Sequence, residues 1–146
     1  PEQFQDYALP VVPDSFAGFA GPLAGVLAGM EWAASGGGES VVSVSVDTPF
    51  VPQDLMHRLR EARGRSGVAV AASPDASGQL RDHPTCALWP VALAPEVRAA
   101  LESGLHRIGQ FAAAYDPGRA VFDSQPLDPF LNVNTPEDLR RAARLV

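Results

Sequence analysis

The stretch VVSVSVDTPF, Val41 to Phe50, decides the fold class. Val41 to Val46 is a β-branched run of strand length, and it halts at Asp47-Thr48-Pro49, where turn-forming residues replace strand-forming ones. A helix is predicted next, from about Pro52 to Arg63. Leu55, Met56, Leu59 and Ala62 recur on one face of it, and Gln53, Asp54, Arg58 and Glu61 face water. Upstream, Tyr7 to Val12 reads as a buried strand stopping at Pro13-Asp14. Gly18, Gly21, Pro22 and Gly25 then form a glycine-rich loop feeding a helix that carries Val26, Leu27, Met30 and Trp32, and that ends at Ser35 before three glycines. Downstream, Gly67 to Ala72 and Thr85 to Val91 are strands, the second interrupted by Pro90 and so an edge or a strand end. Pro95 to Leu101 and Ile108 to Tyr115 are helical, with Gly104 between them. Ala120 to Phe122 and Phe130 to Val133 are brief strands. The chain closes with a helix capped by Thr135, with Pro136 at its first position and Glu137 and Asp138 in its first turn. Strands alternating with helices predict an α/β fold with a mostly parallel sheet covered on both faces.

Composition bounds what such a fold does. The 146 residues suit one domain with a proper core, and 46% hydrophobic against 19% charged residues rules out a disordered tail. All 11 basic residues are Arg, so a mechanism that needs a lysine finds none in this sequence. A net charge of -6 argues against a nucleic-acid binder, and an anionic substrate would need a metal or backbone N–H groups to offset it. Cys86 has no internal disulfide partner, and Cys86, His57, His83 and His106 show no zinc-type spacing; they read as core, helix surface and loop residues, with His83 treated below. The charge-free stretch from Ser15 to Met30 is too short to span a bilayer and contains Pro22, and the start has no signal-peptide character.

In α/β sheets ligands sit beyond the carboxyl ends of the strands. Asp14, Asp47, Asn132 and Asn134 fall there. Asp47 either caps the turn at Thr48-Pro49 or serves as a hard-cation ligand. Gly21-Pro22-Leu23-Ala24-Gly25 is either a packing device or a helix N-terminus facing an anion. Arg81 to Thr85, RDHPT, is either a polar loop with Arg81 and Asp82 paired or an anion contact with Arg81 forked onto phosphate. Asn132 and Asn134 point the same way along an extended stretch, ending a strand or holding a heterocycle or phosphate.

The order Asp14, GPLAG at Gly21 to Gly25, DTPF at Asp47 to Phe50, RDHPT at Arg81 to Thr85 and NVNTPEDL at Asn132 to Leu139 resembles the molybdenum cofactor guanylyltransferase family across essentially the whole chain. GPLAG and DTPF also occur in related nucleotidyltransferases, and RDHPT with NVNTPEDL is the more specific pairing. The resemblance implies a three-layer α/β/α Rossmann-like nucleotidyltransferase fold. It also implies an enzyme that joins GMP from GTP to the phosphate of molybdopterin with Mg²⁺ and releases pyrophosphate, in the cytoplasmic, reduced setting that the lone Cys86 already leads one to expect. It assigns Asp47 as the catalytic, Mg²⁺-binding acid that also contacts GTP, with Asp14, Gly21 and Gly25 on the GTP side. Asn132, Asn134, His83 and Thr85 fall on the molybdopterin side. GTP and molybdopterin are the expected partners, joined by apo-molybdoenzymes or their chaperones; nucleic acid and membranes are not.

The family opens with a glycine-rich signature of the type GGxSxRMGxDK on its first strand and helix, and no such stretch occurs in these residues. Residues 1–146 are therefore expected to form a single nucleotidyltransferase domain without its first βα unit, the C-terminal three-quarters of the whole, with little or no transferase activity alone. Two other readings stay open: a cytidylyltransferase of the same pterin pathway, and a non-catalytic domain that binds molybdopterin or a molybdoenzyme.

Overall fold

The computed structural model describes residues 9–16 and 21–144. Helix α1, Pro22–Ser35, starts at the proline that presets its first φ and stops at Gly36. Strand β1 is Ser40–Ser43, helix α2 Leu55–Ala62, strand β2 Ala69–Pro74 and strand β3 Leu80–Pro90. A 3₁₀ turn, Val91–Leu93, leads into helix α3, Ala94–Glu102. Helix α4, Ile108–Ala113, strand β4, Gly118–Val121, and helix α5, Pro136–Ala142, complete the order.

The sheet runs β1-β3-β2-β4. β3 is antiparallel to β1 and to β2, whereas β2 and β4 are parallel. Three strands thus share a direction and β3 alone is reversed, so the α/β expectation holds while the sheet is mixed rather than mostly parallel in its pairings. The cause is local. Asp75 N–H donates to Gln79 O at 2.8 Å, and Asp75 Oδ1 accepts the Ser77 and Gln79 N–H groups at 2.8 and 3.0 Å and the Ser77 hydroxyl at 2.6 Å. So short a return permits only antiparallel pairing. These bonds, the Ser77 hydroxyl first, hold the Asp75 carboxyl below its ordinary value.

Two clusters sandwich the sheet. On one face Leu23, Leu27 and Met30 of α1 pack with Val70, Trp89, Val97, Leu101 and Phe111. On the other, Leu55 and Leu59 of α2 pack with Ala69, Ala71, Cys86, Leu88, Phe122 and Phe130. Each fully buried leucine contributes about 1.5–3 kcal/mol by transfer from water.

Four strand expectations are corrected. The ladder begins at Leu80, so RDHPT is strand rather than loop, because the turn at Asp75 hands those residues directly to β2. Phe130 to Val133 is not a strand: Phe130 ends a turn, and Leu131 to Asn134 make no ladder. Leu9 to Val12 pair with no described strand, leaving Leu9 71% exposed; Tyr7 and Ala8 lie outside the described residues. In VVSVSV the ladder stops at Ser43, opposite Ala87, and Val46 is 97% exposed. Beyond that point β3 bulges: Val70 pairs with Ala87 but Ala71 pairs with His83. Pro84, inside the bulge, has no N–H to offer a ladder.

Candidate active site

Asp47 lies just beyond β1, partly buried. The turn around it is closed by Thr48, whose Oγ1 and N–H both donate to Ser45 O at 2.7 and 3.3 Å. Turn capping thus belongs to Thr48, which is 6% exposed. The Asp47 carboxylate accepts the Ser45 hydroxyl at Oδ1, and no hydrogen bond from the described residues reaches Oδ2. Asp47 also contributes its carbonyl, which accepts Val133 N–H at 2.8 Å. That bond straps the asparagine segment to the Asp47 turn.

Beside this turn, a cleft of about 360 Å³ opens between α1 and β1, a volume at the low end for small-molecule sites. Pro22, Gly25, Val26 and Gly29 of α1 form one wall, Val41 to Ser45 the other, with Thr85 and Ile108 contributing. Gly25 is exposed, and a Cβ on Gly29 would meet nothing within 4 Å, so these glycines face open space rather than the sheet. Asp14 reaches the same wall: its Oδ1 lies 3.9 Å from where a Gly25 Cβ would stand. Gly21 adopts φ +70, a left-handed conformation that favours glycine. Among the described residues the first turn of α1 holds no acid of its own and no side-chain cap, and the acid that stands beside it is Asp14. Gly25 and Thr85 therefore line the cleft, Asp14 stands beside Gly25 and Gly21 directly precedes the helix that forms this wall, while Ser45 on the other wall bonds Asp47.

Asn132 and Asn134 are exposed, with Val133 partly buried between them. Neither amide side chain bonds within the described fold. Asn134 N–H and Thr135 N–H both donate to Asp138 Oδ2, at 3.2 and 3.0 Å, and Asp138 N–H donates to Thr135 Oγ1 at 3.1 Å. This reciprocal cap starts α5 as expected and holds the asparagine segment at its far end.

His83 parts from Thr85. The bulge at Pro84 turns His83 to the α2 face, where it is 8% exposed, stacks on Phe130 at 4.5 Å and lies 2.8 Å from Ser73 Oγ. Arg81 has no partner among the described residues; Asp82 instead takes Arg119 in a two-pronged bond at 2.8 and 3.0 Å. Ser45, Ser73 and Asp128 were not singled out in the sequence. The polar alternation of VSVSV marks Ser45, whereas Ser73 and Asp128 meet only through tertiary packing.

Burial pushes the His83 imidazole below its ordinary 6.5; the Asp128 carboxylate opposes this and Arg81 reinforces it. The fold therefore binds this proton less readily than the unfolded chain. Its stabilising contribution is complete above pH 6.5 and is lost as the pH falls below that value through the lowered folded one. Between about pH 7.5 and about pH 5 the melting temperature should fall further for the natural chain than for His83→Gln. Parallel melting curves for the two proteins would show that the imidazole is not held neutral by the fold.

Residues 1–117 match the MobA-like NTP transferase domain family. The chain is 43% identical over 150 aligned residues to the molybdenum cofactor guanylyltransferase of Rhodopseudomonas palustris strain HaA2, an alignment spanning 99% of this chain and 68% of that protein. It is 46% identical over 146 residues to the Cereibacter sphaeroides protein of the same name, spanning 100% and 70%. A crystal structure of an Aquifex aeolicus protein superposes with a TM-score of 0.74 at 20% identity, over 92% of this chain and 67% of that one. Molybdopterin-guanine dinucleotide biosynthesis protein A from Archaeoglobus fulgidus superposes at 0.61 with 22% identity, over 86% and 62%. At those identities the structural likeness speaks for the fold.

Proposed function

The chain belongs to the MobA-like NTP transferase family, the kinship of a nucleotidyltransferase, and from that premise we propose that its cleft serves the transfer of GMP from GTP to the phosphate of molybdopterin. The observation that supports this reading is the bond from Val133 N–H to Asp47 O, which ties the segment carrying Asn132 and Asn134 to the Asp47 turn, itself joined through Ser45 to the wall of a glycine-lined cleft.

Among the described residues no three His, Cys, Asp or Glu gather into a metal cage. One partly buried carboxylate with an oxygen to spare fits a cation that brings most of its ligands as water and nucleotide phosphate, and Asp47 would hold Mg²⁺ in this way. When bound, Mg²⁺ offsets charge on the reacting phosphate oxygens, which the Asp14 and Asp47 carboxylates and a net charge of -6 would otherwise repel. The residues of the chain do the rest. Gly21 and Gly25 let nucleotide phosphate approach the α1 backbone, and Asp14 faces the nucleotide there. Thr85 offers a hydroxyl from the opposite wall. Asn132 and Asn134 orient the acceptor through paired amide donors and acceptors. A phosphate oxygen of molybdopterin attacks the α-phosphorus of GTP, the bond to the β-phosphate oxygen breaks, and pyrophosphate leaves. Positioning and charge balance suffice, with no covalent enzyme intermediate.

The test uses the chain alone and the chain joined at its N-terminus to the glycine-rich segment of the family. Each is mixed with Mg²⁺, molybdopterin and either GTP or CTP, and pyrophosphate and dinucleotide are followed. The joined protein is expected to form the guanine dinucleotide, the chain alone little of it, and chelation of the metal to stop the reaction. Product from CTP alone would transfer the site to the cytidylyl reaction, and molybdopterin binding without turnover would favour a non-catalytic domain.

A further inference from the structure

On the face of the sheet away from the cleft, three polar side chains meet in the packed layer. Ser73 follows Ala69 and Ala71 along the same side of β2 and is 1% exposed. Its hydroxyl lies 2.8 Å from His83 Nε2 and 3.3 Å from Asp128 Oδ1. A serine hydroxyl has one proton to give, and a carboxylate only accepts, so that proton goes to Asp128. The serine oxygen then accepts from His83, which places the imidazole proton on Nε2. Asp128 Oδ1 also accepts Phe130 N–H at 3.0 Å, and Asp128 O accepts Leu131 N–H at 3.1 Å. The Phe130 ring, stacked on His83, stands edge-on to Phe122 at 5.3 Å.

Serine, histidine and aspartate in contact suggest a hydrolytic triad, but the roles do not match. In a triad the acid orients the imidazole and the serine is open to substrate. Here the acid bonds the serine, and the serine is closed off. What the three groups do hold is a piece of chain: Asp128 and its turn fix Phe130 and Leu131, and two residues later Val133 N–H meets Asp47 O at 2.8 Å.

We propose that Ser73, His83 and the partly buried Asp128 form a polar anchor for residues 128–134, which sets Asn132 and Asn134 relative to Asp47 and makes the three of them positioning residues. His83, which the family resemblance places at the molybdopterin, acts through the segment it supports. The anchor is an inference about the fold; its consequence for substrate rests on the function proposed above.

Two measurements separate these layers. In Ser73→Ala, and in Asp128→Ala as an independent variant, amide hydrogen exchange at Val133 should quicken by about tenfold or more, and at Phe130 in Ser73→Ala as well, while exchange within α1 is unchanged. Unchanged protection of Val133 in either variant overturns the anchor, and this readout needs no substrate. In the transfer-competent enzyme, the same variants should raise KM for molybdopterin by roughly fivefold and leave KM for the nucleotide within about twofold. An equal rise in both KM values, or a loss confined to kcat, overturns the positioning role. If the natural protein transfers nothing to molybdopterin, the functional reading falls, and the exchange result alone upholds or overturns the anchor.

Discussion

Asp47→Ala is expected to slow the transfer-competent enzyme by at least about tenfold, because on the proposed reading its carboxylate would hold the cation that offsets phosphate charge. The structure makes this substitution unusually clean. The turn that follows β1 is closed by Thr48 Oγ1 on Ser45 O, and the strap to the asparagine segment uses the backbone carbonyl of Asp47. Both survive the loss of the side chain. The lost bond is the one from the Ser45 hydroxyl, which is part-buried and can turn to water. Melting temperature should therefore move little while turnover falls, and the requirement for Mg²⁺ should rise. Asp47→Asn keeps an acceptor for Ser45 but removes the charge, and it should fail to the same degree. Near-normal turnover in both variants would return Asp47 to a purely structural place in the turn.

Gly118→Ala should be the most damaging small substitution for the fold. The first residue of β4 lies so close to the end of α2 that an added Cβ would stand 1.6 Å from Ala62 O, 2.7 Å from Ala62 C and 2.9 Å from Gly64 N. All three are backbone atoms, so no side chain can swing aside. Gly118 N–H donates to Val68 O at 3.1 Å where β4 joins β2, and the same layer holds Leu55, Leu59, Ala120 and Phe122. Relief requires β4 to leave β2 or α2 to lift from the sheet. Overpacking of this kind costs about 3 kcal/mol, more than a hundredfold in the folding equilibrium. Urea unfolding measures it, with Gly29→Ala as the contrast. That helical glycine has nothing within 4 Å of an added Cβ, and alanine there should stabilise by about 0.5–1 kcal/mol. A Gly118→Ala midpoint equal to that of the natural chain would mean that β4 and α2 part at this point at little cost.

Much of the site is legible before any coordinates. Asp47 stands at the end of a β-branched run, the glycines stand at a helix start, and the asparagines alternate before a helix cap; each is a short-range pattern. The grouping of those residues is not legible. Asp47 and Val133 share no sequence signal, yet one backbone bond joins them. RDHPT reads as a loop because its charges and proline disfavour a strand, but the turn at Asp75 carries it into the ladder regardless. The bulge at Pro84 then sends His83 and Thr85, two residues apart, to different sides of the sheet.

The sequence by itself determined the α/β class, the bounds of α1 at Pro22 and Ser35, the Thr135 cap of α5 and the carboxylate after β1. These depend on a residue's own backbone preference and on side chains reaching only a few positions along the chain. The tertiary structure alone decided that Leu9 to Val12 and Phe130 to Val133 are not strands, and that His83 lies buried on Ser73 and Phe130. A strand exists only where a neighbour supplies its hydrogen bonds, and a polar side chain tolerates burial only where partners satisfy it; in both cases the deciding groups lie far away in the chain.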